Sequence, residues 1–266
     1  MLYLWNMILV RNSHMKRDDR DKEFVLSILR NSGLHVQTIP ESPNHKTPDL
    51  RVRMREGDIL VEVKSKSDDQ QLRDLLKSPT GTPFSYKVSV LETCLRDAFR
   101  QIRDFPDRDD ANFTLVWFIT RKVGGITIFA GLATMGLLYG IELLEGRTGN
   151  RKEFYQKECF FFHESIFFKH KNLDGVVLQD DQSIKLCLNP FSPRYNVFKH
   201  TMFTDVFRVQ FTVVDPAEME TADKCFIADC SARRKDIKGV VRYLKSKYGL
   251  DTITINKFVL LNCPVD

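Results

Sequence analysis

The sequence predicts an α/β protein in which helices flank a central mixed β-sheet. Three observations support this prediction. Apolar and charged residues alternate from Leu50 to Met54, as they do on a strand with one buried face. The segment 113–120 (FTLVWFIT) is almost wholly apolar, which is typical of a strand covered on both faces. Apolar residues recur at helical spacing in two longer stretches, 18–31 and 88–105.

The elements follow a simple order along the chain. The first helix, from Asp18 to Asn31, has acidic residues in its first turn, and Gly33 follows it as a stop signal. A strand from Leu34 to Ile39 comes next. The following two strands form a hairpin, because Gly57 lies at the turn and can take the positive φ that a tight turn requires. With the second helix and the apolar strand, the order is helix, strand, strand, strand, helix, strand.

The hairpin carries charged side chains that converge. In its second strand, which begins at Ile59, alternation places Glu62 and Lys64 on one face while the valines point to the other. Asp49, at the start of the partner strand, can reach the same spot as Glu62. Two carboxylates and an ammonium therefore meet at one sheet edge. Mg²⁺ prefers oxygen ligands of this kind, and it activates water and stabilises charge on phosphoryl oxygens.

These residues resemble the motif of the PD-(D/E)XK nuclease superfamily. Pro48-Asp49 corresponds to the PD element and Glu62-Val63-Lys64 to the (D/E)XK element, with a strand–turn–strand between them. The resemblance implies a restriction-endonuclease-like fold whose αβββαβ core forms the central mixed sheet, with a C-terminal α/β extension in this chain. It also implies a Mg²⁺-dependent endonuclease that hydrolyses phosphodiester bonds of nucleic acid, with DNA as the expected substrate. Restriction, defence and repair are the settings in which such nucleases act.

The resemblance also assigns roles to individual residues. Asp49, Glu62 and the Val63 carbonyl are expected to bind Mg²⁺, or Mn²⁺ as its substitute. Lys64 is expected to assist the attacking water. Glu23, in the first helix, is expected to hold a second metal ion or a metal-bound water. For Glu23, a solvated acid favoured by the helix dipole is the alternative explanation.

Other basic and polar residues are candidates for contact with nucleic acid. Several branches of the superfamily place a glutamine of the second helix near the active site, which makes Gln101 a candidate; an exposed glutamine is the alternative. Lys66 lies on the face of Glu62 and either contacts phosphate or is solvated. A C-terminal helix, predicted from Ala232 to Tyr248 with Ser231 as its cap, carries a basic stripe that either follows a phosphate backbone or is solvated. The stripe consists of Lys235, Lys238, Arg242 and Lys245.

The length of 266 residues allows one large domain and a smaller one. We predict a nuclease-like domain with insertions at 1–214 and a small C-terminal α/β subdomain at 215–266. Asp215-Pro216 marks the boundary, after a strand predicted from Val206 to Val214.

Composition restricts the class of protein and its partners. The chain is 42% hydrophobic and 28% charged, as globular proteins are, and its net charge of +5 is compatible with a polyanionic partner. The six cysteines include no CxxC pair, which argues against a zinc site and fits a reducing compartment.

The apolar stretch 126–144 is closed early by glycines and Glu142, so it is predicted to be a buried core element. We expect a cytoplasmic protein without membrane contact, and a homodimer, since cleavage of a duplex by a single-site chain suggests two copies.

Two alternatives to an active nuclease remain open. A catalytically inactive nucleic-acid-binding or assembly module could retain the same fold, although all three motif side chains are present here. An unrelated α/β protein with an accidental hairpin would leave both the element order and Pro48-Asp49 as coincidences.

Overall fold

The computed structural model describes residues 17–67, 88–106, 111–121, 134–148, 154–180 and 183–256. Its first elements follow the predicted order of helix, three strands, helix and strand. They are α1 (Arg17–Asn31), β1 (His35–Thr38), β2 (Leu50–Arg53), β3 (Ile59–Ser67), α2 (Val88–Arg103) and β4 (Phe113–Arg121). Residues 126–133, the first part of the apolar stretch predicted as a core element, lie outside the described residues. Within the remainder of that stretch, residues 134–139 are helical.

The second half of the chain adds further strands and short helices. They are β5 (Glu142–Arg147), β6 (Phe154–Phe160), α3 (Ile166–Lys169), β7 (Gly175–Gln179), β8 (Ile184–Leu188), α4 (Tyr195–Phe198), α5 (Met202–Gln210), β9 (Thr212–Val214), α6 (Pro216–Thr221), β10 (Cys225–Ile227), α7 (Ile237–Tyr248) and β11 (Thr252–Asn256).

The larger sheet is mixed, as predicted, and helices flank it. Its strand order is β1-β2-β3-β4-β7-β8-β9. The strands β3, β4 and β7 run parallel to one another, whereas β1, β2 and β3 pair antiparallel, as do β7 and β8. In this register Leu50 of β2 lies opposite Val61 of β3, and Glu62 lies opposite Val116 of β4. Glu62 is therefore in an interior strand of the sheet.

Each face of this sheet is covered by its own apolar core. Val61 and Val63 pack with α1 side chains such as Val25 and Leu29, and with the aromatic residues of α4 and α5. Leu60, from the other face of β3, packs with α2. Glu62 and Lys64 alternate with the valines, so their side chains lie on the α2 face.

A smaller sheet crosses the domain boundary that the sequence predicts. Its order is β10-β6-β5-β11, so the strands that follow residue 215 pair with β5 and β6, which precede it. Helix α7 covers this sheet, with Val240 and Leu244 fully buried against it. Within the described residues 215–256, β10 and β11 therefore do not form a sheet of their own. The division at 214/215 into separate units stays a prediction.

The strand predicted from Val206 to Val214 is wrong over most of its length. Residues 202–210 form α5, because the Thr201 side chain caps the first turn by accepting a hydrogen bond from the Thr204 amide at 3.4 Å. Phe203 and Phe207, one turn apart, are both buried, and the ring of Phe207 packs 5.9 Å from that of Trp117. Of the predicted strand, only the three residues of β9 pair in the sheet. Burial of two aromatic rings one helical turn apart outweighs the alternating pattern.

The start predicted for the C-terminal helix is also wrong. Asp236 caps α7 by accepting a hydrogen bond from the Gly239 amide at 2.9 Å. The preceding residues are held in turns by Arg234, whose buried guanidinium donates to the carbonyls of Ala228 and Cys230. These bonds keep the chain after Ser231 from entering the helix.

Candidate metal centre at the start of strand β2

Asp49 is held by contacts from two elements. It lies immediately before β2 and is almost fully buried. Its Oδ2 accepts a hydrogen bond from the backbone amide of Val63 at 2.8 Å, and its Oδ1 lies 2.8 Å from the Lys22 ammonium of α1. The carboxylate is thereby fixed against the edge of β3, beside the strand that carries the other motif residues.

Glu62 is fully buried on the α2 face of β3. Its Oε2 accepts a hydrogen bond from Gln101 Nε2 at 2.9 Å. Its Oε1 forms an ion pair with the Lys64 ammonium and has no other polar partner among the described residues. A buried carboxylate oxygen in this state can accept a further ligand.

Gln101 links the motif strand to the loop before β2. Besides Glu62, its Nε2 contacts the carbonyl of Thr47 at 2.6 Å, and its Oε1 lies 3.4 Å from Lys64 Nζ. The side chain is half-buried, not exposed as the alternative interpretation had it. The structure therefore brings this candidate next to two motif residues, where one amide orients both a carboxylate and an ammonium.

The Val63 carbonyl lies on the same edge of β3 as Asp49. In a strand, backbone groups two residues apart point to the same side. The Val61 carbonyl accepts a hydrogen bond from the Asp49 amide at 3.1 Å, so the carbonyl of Val63 also faces this side. The pairing of β2 with β3 extends only from Val61 back to Ile59, which leaves the edge at Val63 to the Asp49 side chain.

Glu23 does not join the two carboxylates. It is exposed on α1, and within the described ranges no three His, Cys, Asp or Glu side chains come close enough to hold a metal ion together. Its neighbour Lys22 reaches Asp49 instead. The cause is helical rotation: Lys22 precedes the buried Val25 and Leu29 by three and seven residues, so it points toward the sheet. This spacing was readable in the sequence, but the prediction missed it.

Burial and charge perturb the ionisable groups of the site. The pKa of Glu62 is raised from 4.5 to about 8, first by burial and then by the nearby Asp49 carboxylate, although Lys64 opposes the shift. Burial lowers the pKa of Lys64, but the contact with Glu62 and the charge of Asp49 together outweigh burial, so the net shift is upward. The pKa of Lys22 is likewise raised, because its contact with Asp49 outweighs its burial. Both ammonium groups are therefore charged at neutral pH, and Glu62 keeps its proton to a higher pH than an ordinary glutamate does.

This shift predicts how the stability of the metal-free protein depends on pH. Between pH 4.5 and about 8, folded Glu62 keeps a proton that the unfolded chain has released. The free energy of unfolding should therefore fall as pH rises through this window, by up to about 1.4 kcal/mol per pH unit from this one group. Glu62→Gln lacks the titration. Urea denaturation with EDTA at several pH values measures the difference. As pH rises from 4.5 to about 8, the free energy of unfolding of the native protein should fall relative to that of this variant. Parallel curves for the two proteins would contradict the raised pKa.

The donor set fits a hard divalent cation. Asp49, Glu62 and the Val63 carbonyl offer only oxygen atoms, and Mg²⁺ in proteins usually takes one or two carboxylates, completing its shell with water and phosphate oxygens. The Oε1 atom of Glu62, whose one polar neighbour among the described residues is the Lys64 ammonium, supplies a ligand atom. The Asp49 carboxylate also raises the cost of ionising Glu62, which a bound cation would relieve.

Only some of the residues of the predicted basic stripe lie on an exposed face of the C-terminal helix. Lys238 and Arg242 are exposed on α7, but Lys235 precedes the helix. Lys245 is half-buried, and its ammonium donates to the carbonyl of Asp251 at 2.6 Å. Contact with nucleic acid through Lys238 and Arg242 stays a prediction. The side chain of Lys66 lies outside the described residues.

Within the described ranges, no helix combines the length and the apolar character that crossing a membrane requires. Comparisons with protein-family models, with curated proteins and with solved structures give no match. What the site can do is therefore inferred from its own residues and their geometry.

Proposed function

We propose that this chain is a metal-dependent nuclease of the PD-(D/E)XK superfamily that hydrolyses phosphodiester bonds, with DNA as its substrate. The observation that carries the proposal is the convergence of Asp49, Glu62 and Lys64 around the start of β2, with Lys64 paired to Glu62. The element order from α1 to β4 and the parallel pairing of β3 with β4 agree with it.

In this proposal Asp49, Glu62 and the Val63 carbonyl hold Mg²⁺ or Mn²⁺. When bound, the metal ion lowers the pKa of water and stabilises negative charge on the phosphoryl oxygens. Asp49 is kept in place for this role by the Val63 amide, and Glu62 by Gln101. Preorganisation of this kind places the ligands before the substrate arrives.

Lys64 orients the attacking water or neutralises charge that develops on the phosphate. Its ammonium already faces the site through Glu62 and Gln101. Because its pKa is raised, it stays protonated at neutral pH and acts as a fixed positive charge. Lys22 balances the charge of Asp49 from the opposite face of the sheet, where α1 packs.

The inactive module is the second candidate, and one observation favours it. Each carboxylate has an ammonium partner within the chain, Lys22 for Asp49 and Lys64 for Glu62. Such pairs could stabilise the fold without any metal ion. The two candidates differ in whether a divalent cation displaces these contacts.

Calorimetric titration with Mn²⁺ and cleavage of supercoiled plasmid DNA in Mg²⁺ together test the proposal. A nuclease should bind Mn²⁺ and nick the plasmid, and EDTA should abolish the nicking. The melting temperature should also rise with Mn²⁺, since the cation binds only the folded site. DNA binding with neither Mn²⁺ binding nor cleavage would instead identify the inactive module.

A further inference from the structure

A pocket with basic residues in its walls lies beside α2, on the side of the helix opposite to Gln101. Its volume is about 310 Å³, near the lower end of the range of roughly 300–1,000 Å³ for small-ligand sites. The C-terminal half of α2 forms one wall, and the loop between α3 and β7 forms the other. The lining includes Phe99, Arg103, Thr114, Lys169, His170 and Lys171.

The pocket combines positive charge with an aromatic surface. Arg103, Lys169 and Lys171 are exposed at its walls. The ring of His170 stacks on that of Phe99, with centroids 4.8 Å apart and planes at 17°. The pKa of His170 is lowered, first by burial and then by the charges of Lys169 and Arg103, while Glu92 opposes the shift. The guanidinium of Arg103 also pairs with its neighbour Asp104 at 2.8 Å. Cations beside a stacked pair of rings suit a phosphate with an attached base.

The loop wall is held in place by bonds to its backbone and not through its basic side chains. Lys169 forms an exposed ion pair with Glu164 at 3.2 Å, which a phosphate can replace. The Asn172 carbonyl accepts hydrogen bonds from Thr114 Oγ1 at 2.7 Å and from Arg194 at 2.6 Å. The amide of Asn189 donates to the carbonyls of His170 and Leu173. A preformed wall loses little conformational entropy when a ligand binds.

The pocket is close to the candidate metal centre. Thr114, at its base, pairs with Leu60 of β3, two residues before Glu62. With strands about 4.8 Å apart and about 3.3 Å per residue, the Cα atoms of Thr114 and Glu62 are roughly 8 Å apart. On α2, Gln101 and Arg103 point to opposite sides of the residue between them, Ile102, which is buried against the sheet. One helix therefore positions both the centre and the pocket.

We propose that this pocket binds one nucleotide of a single-stranded segment of the nucleic acid, with its phosphate at Lys169, Lys171 and Arg103 and its base against Phe99. The inference rests on the proposed function in taking nucleic acid as the substrate, and it adds where the strand is held. A strand that passes around the C-terminal end of α2 connects this pocket with the centre at Glu62.

Binding of a fluorescein-labelled oligothymidylate, measured by anisotropy in EDTA, tests the pocket without cleavage. Lys171→Glu should weaken binding about tenfold, because it replaces a phosphate contact by repulsion. The matched control is Lys224→Glu, an exposed lysine beside β10 with the same change of charge, which should bind within about twofold of the native protein. Equal affinities for these two variants would overturn the proposal, as would absence of binding by the native protein.

A second variant tests the stacking. Phe99→Leu should weaken binding of the oligothymidylate about tenfold, within the range of about 1–3 kcal/mol for stacking of one base. It should leave binding of an abasic oligonucleotide of equal length and charge unchanged. Equal losses of affinity for the two oligonucleotides would show that the base does not stack on Phe99. Failure of the nuclease proposal has a different signature, since the native protein would then not bind Mn²⁺ whatever the pocket variants do.

Discussion

Replacing Asp49 by Asn or Glu62 by Gln should abolish Mn²⁺ binding and lower DNA cleavage by at least about 10³-fold. Each change removes one of the two charged oxygen ligands while keeping the size of the side chain. Loss of the metal removes both the activation of water and the stabilisation of phosphoryl charge, and one such electrostatic contribution alone is worth about 10²–10³ in rate. Calorimetry with Mn²⁺ and a plasmid-nicking assay measure the two effects.

Glu56→Gln is the matched control for these variants. Glu56 is an exposed acid in the turn of the same hairpin, so its loss changes the net charge equally without touching the site. This variant should bind Mn²⁺ and cleave like the native protein. Circular dichroism should show all three variants folded. If Asp49→Asn and Glu62→Gln bind Mn²⁺ as tightly as Glu56→Gln does, the metal centre is assigned to the wrong residues.

Lys64→Ala should lower the rate of cleavage by about 10²–10³-fold, with little change in DNA affinity. The rate falls because a fixed positive charge beside the reacting phosphate is lost. Affinity depends on many phosphate contacts, of which one lysine is a small part. Single-turnover cleavage at saturating protein separates the two quantities.

Lys64 also lowers the pKa of Glu62, so its removal weakens metal binding indirectly. Rates should therefore be compared at saturating Mn²⁺ and at about pH 9, where Glu62 is ionised in the native protein. Lys64→Arg keeps the charge but changes its position, and should recover Mn²⁺ affinity better than it recovers rate. A Lys64→Ala protein that binds DNA poorly yet cleaves at the native rate once saturated would place Lys64 in substrate binding.

Local patterns in the sequence were sufficient for the framework of the site. Alternation in β3 places Glu62 and Lys64 on one face, and Gly57 breaks the chain between the two strands with φ of 127°. The helical spacing of apolar residues gave α1 and α2 close to their observed bounds. These features depend on residues near one another in the chain, so periodicity and turn chemistry determine them.

The tertiary structure decided which side chains meet at the site. Lys22 reaches Asp49, and Gln101 reaches both Thr47 and Glu62, across separations that no local pattern specifies. Glu23, chosen by resemblance, is exposed, because one residue along a helix rotates the side chain by about 100°.

The pairing of strands that are distant in the chain also could not be predicted from the sequence. The larger sheet continues through β7, β8 and β9, and the smaller sheet joins β5 and β6 with strands from the end of the chain. Strand pairing satisfies backbone groups that are alike in every residue, so the sequence of a strand says little about its partner. At α5 the segment is a helix and not a strand, because the helix buries both Phe203 and Phe207 in the core. The sequence by itself therefore determined the elements from α1 to β4 and the motif residues, whereas long-range packing decided their neighbours, because those contacts depend on the whole fold.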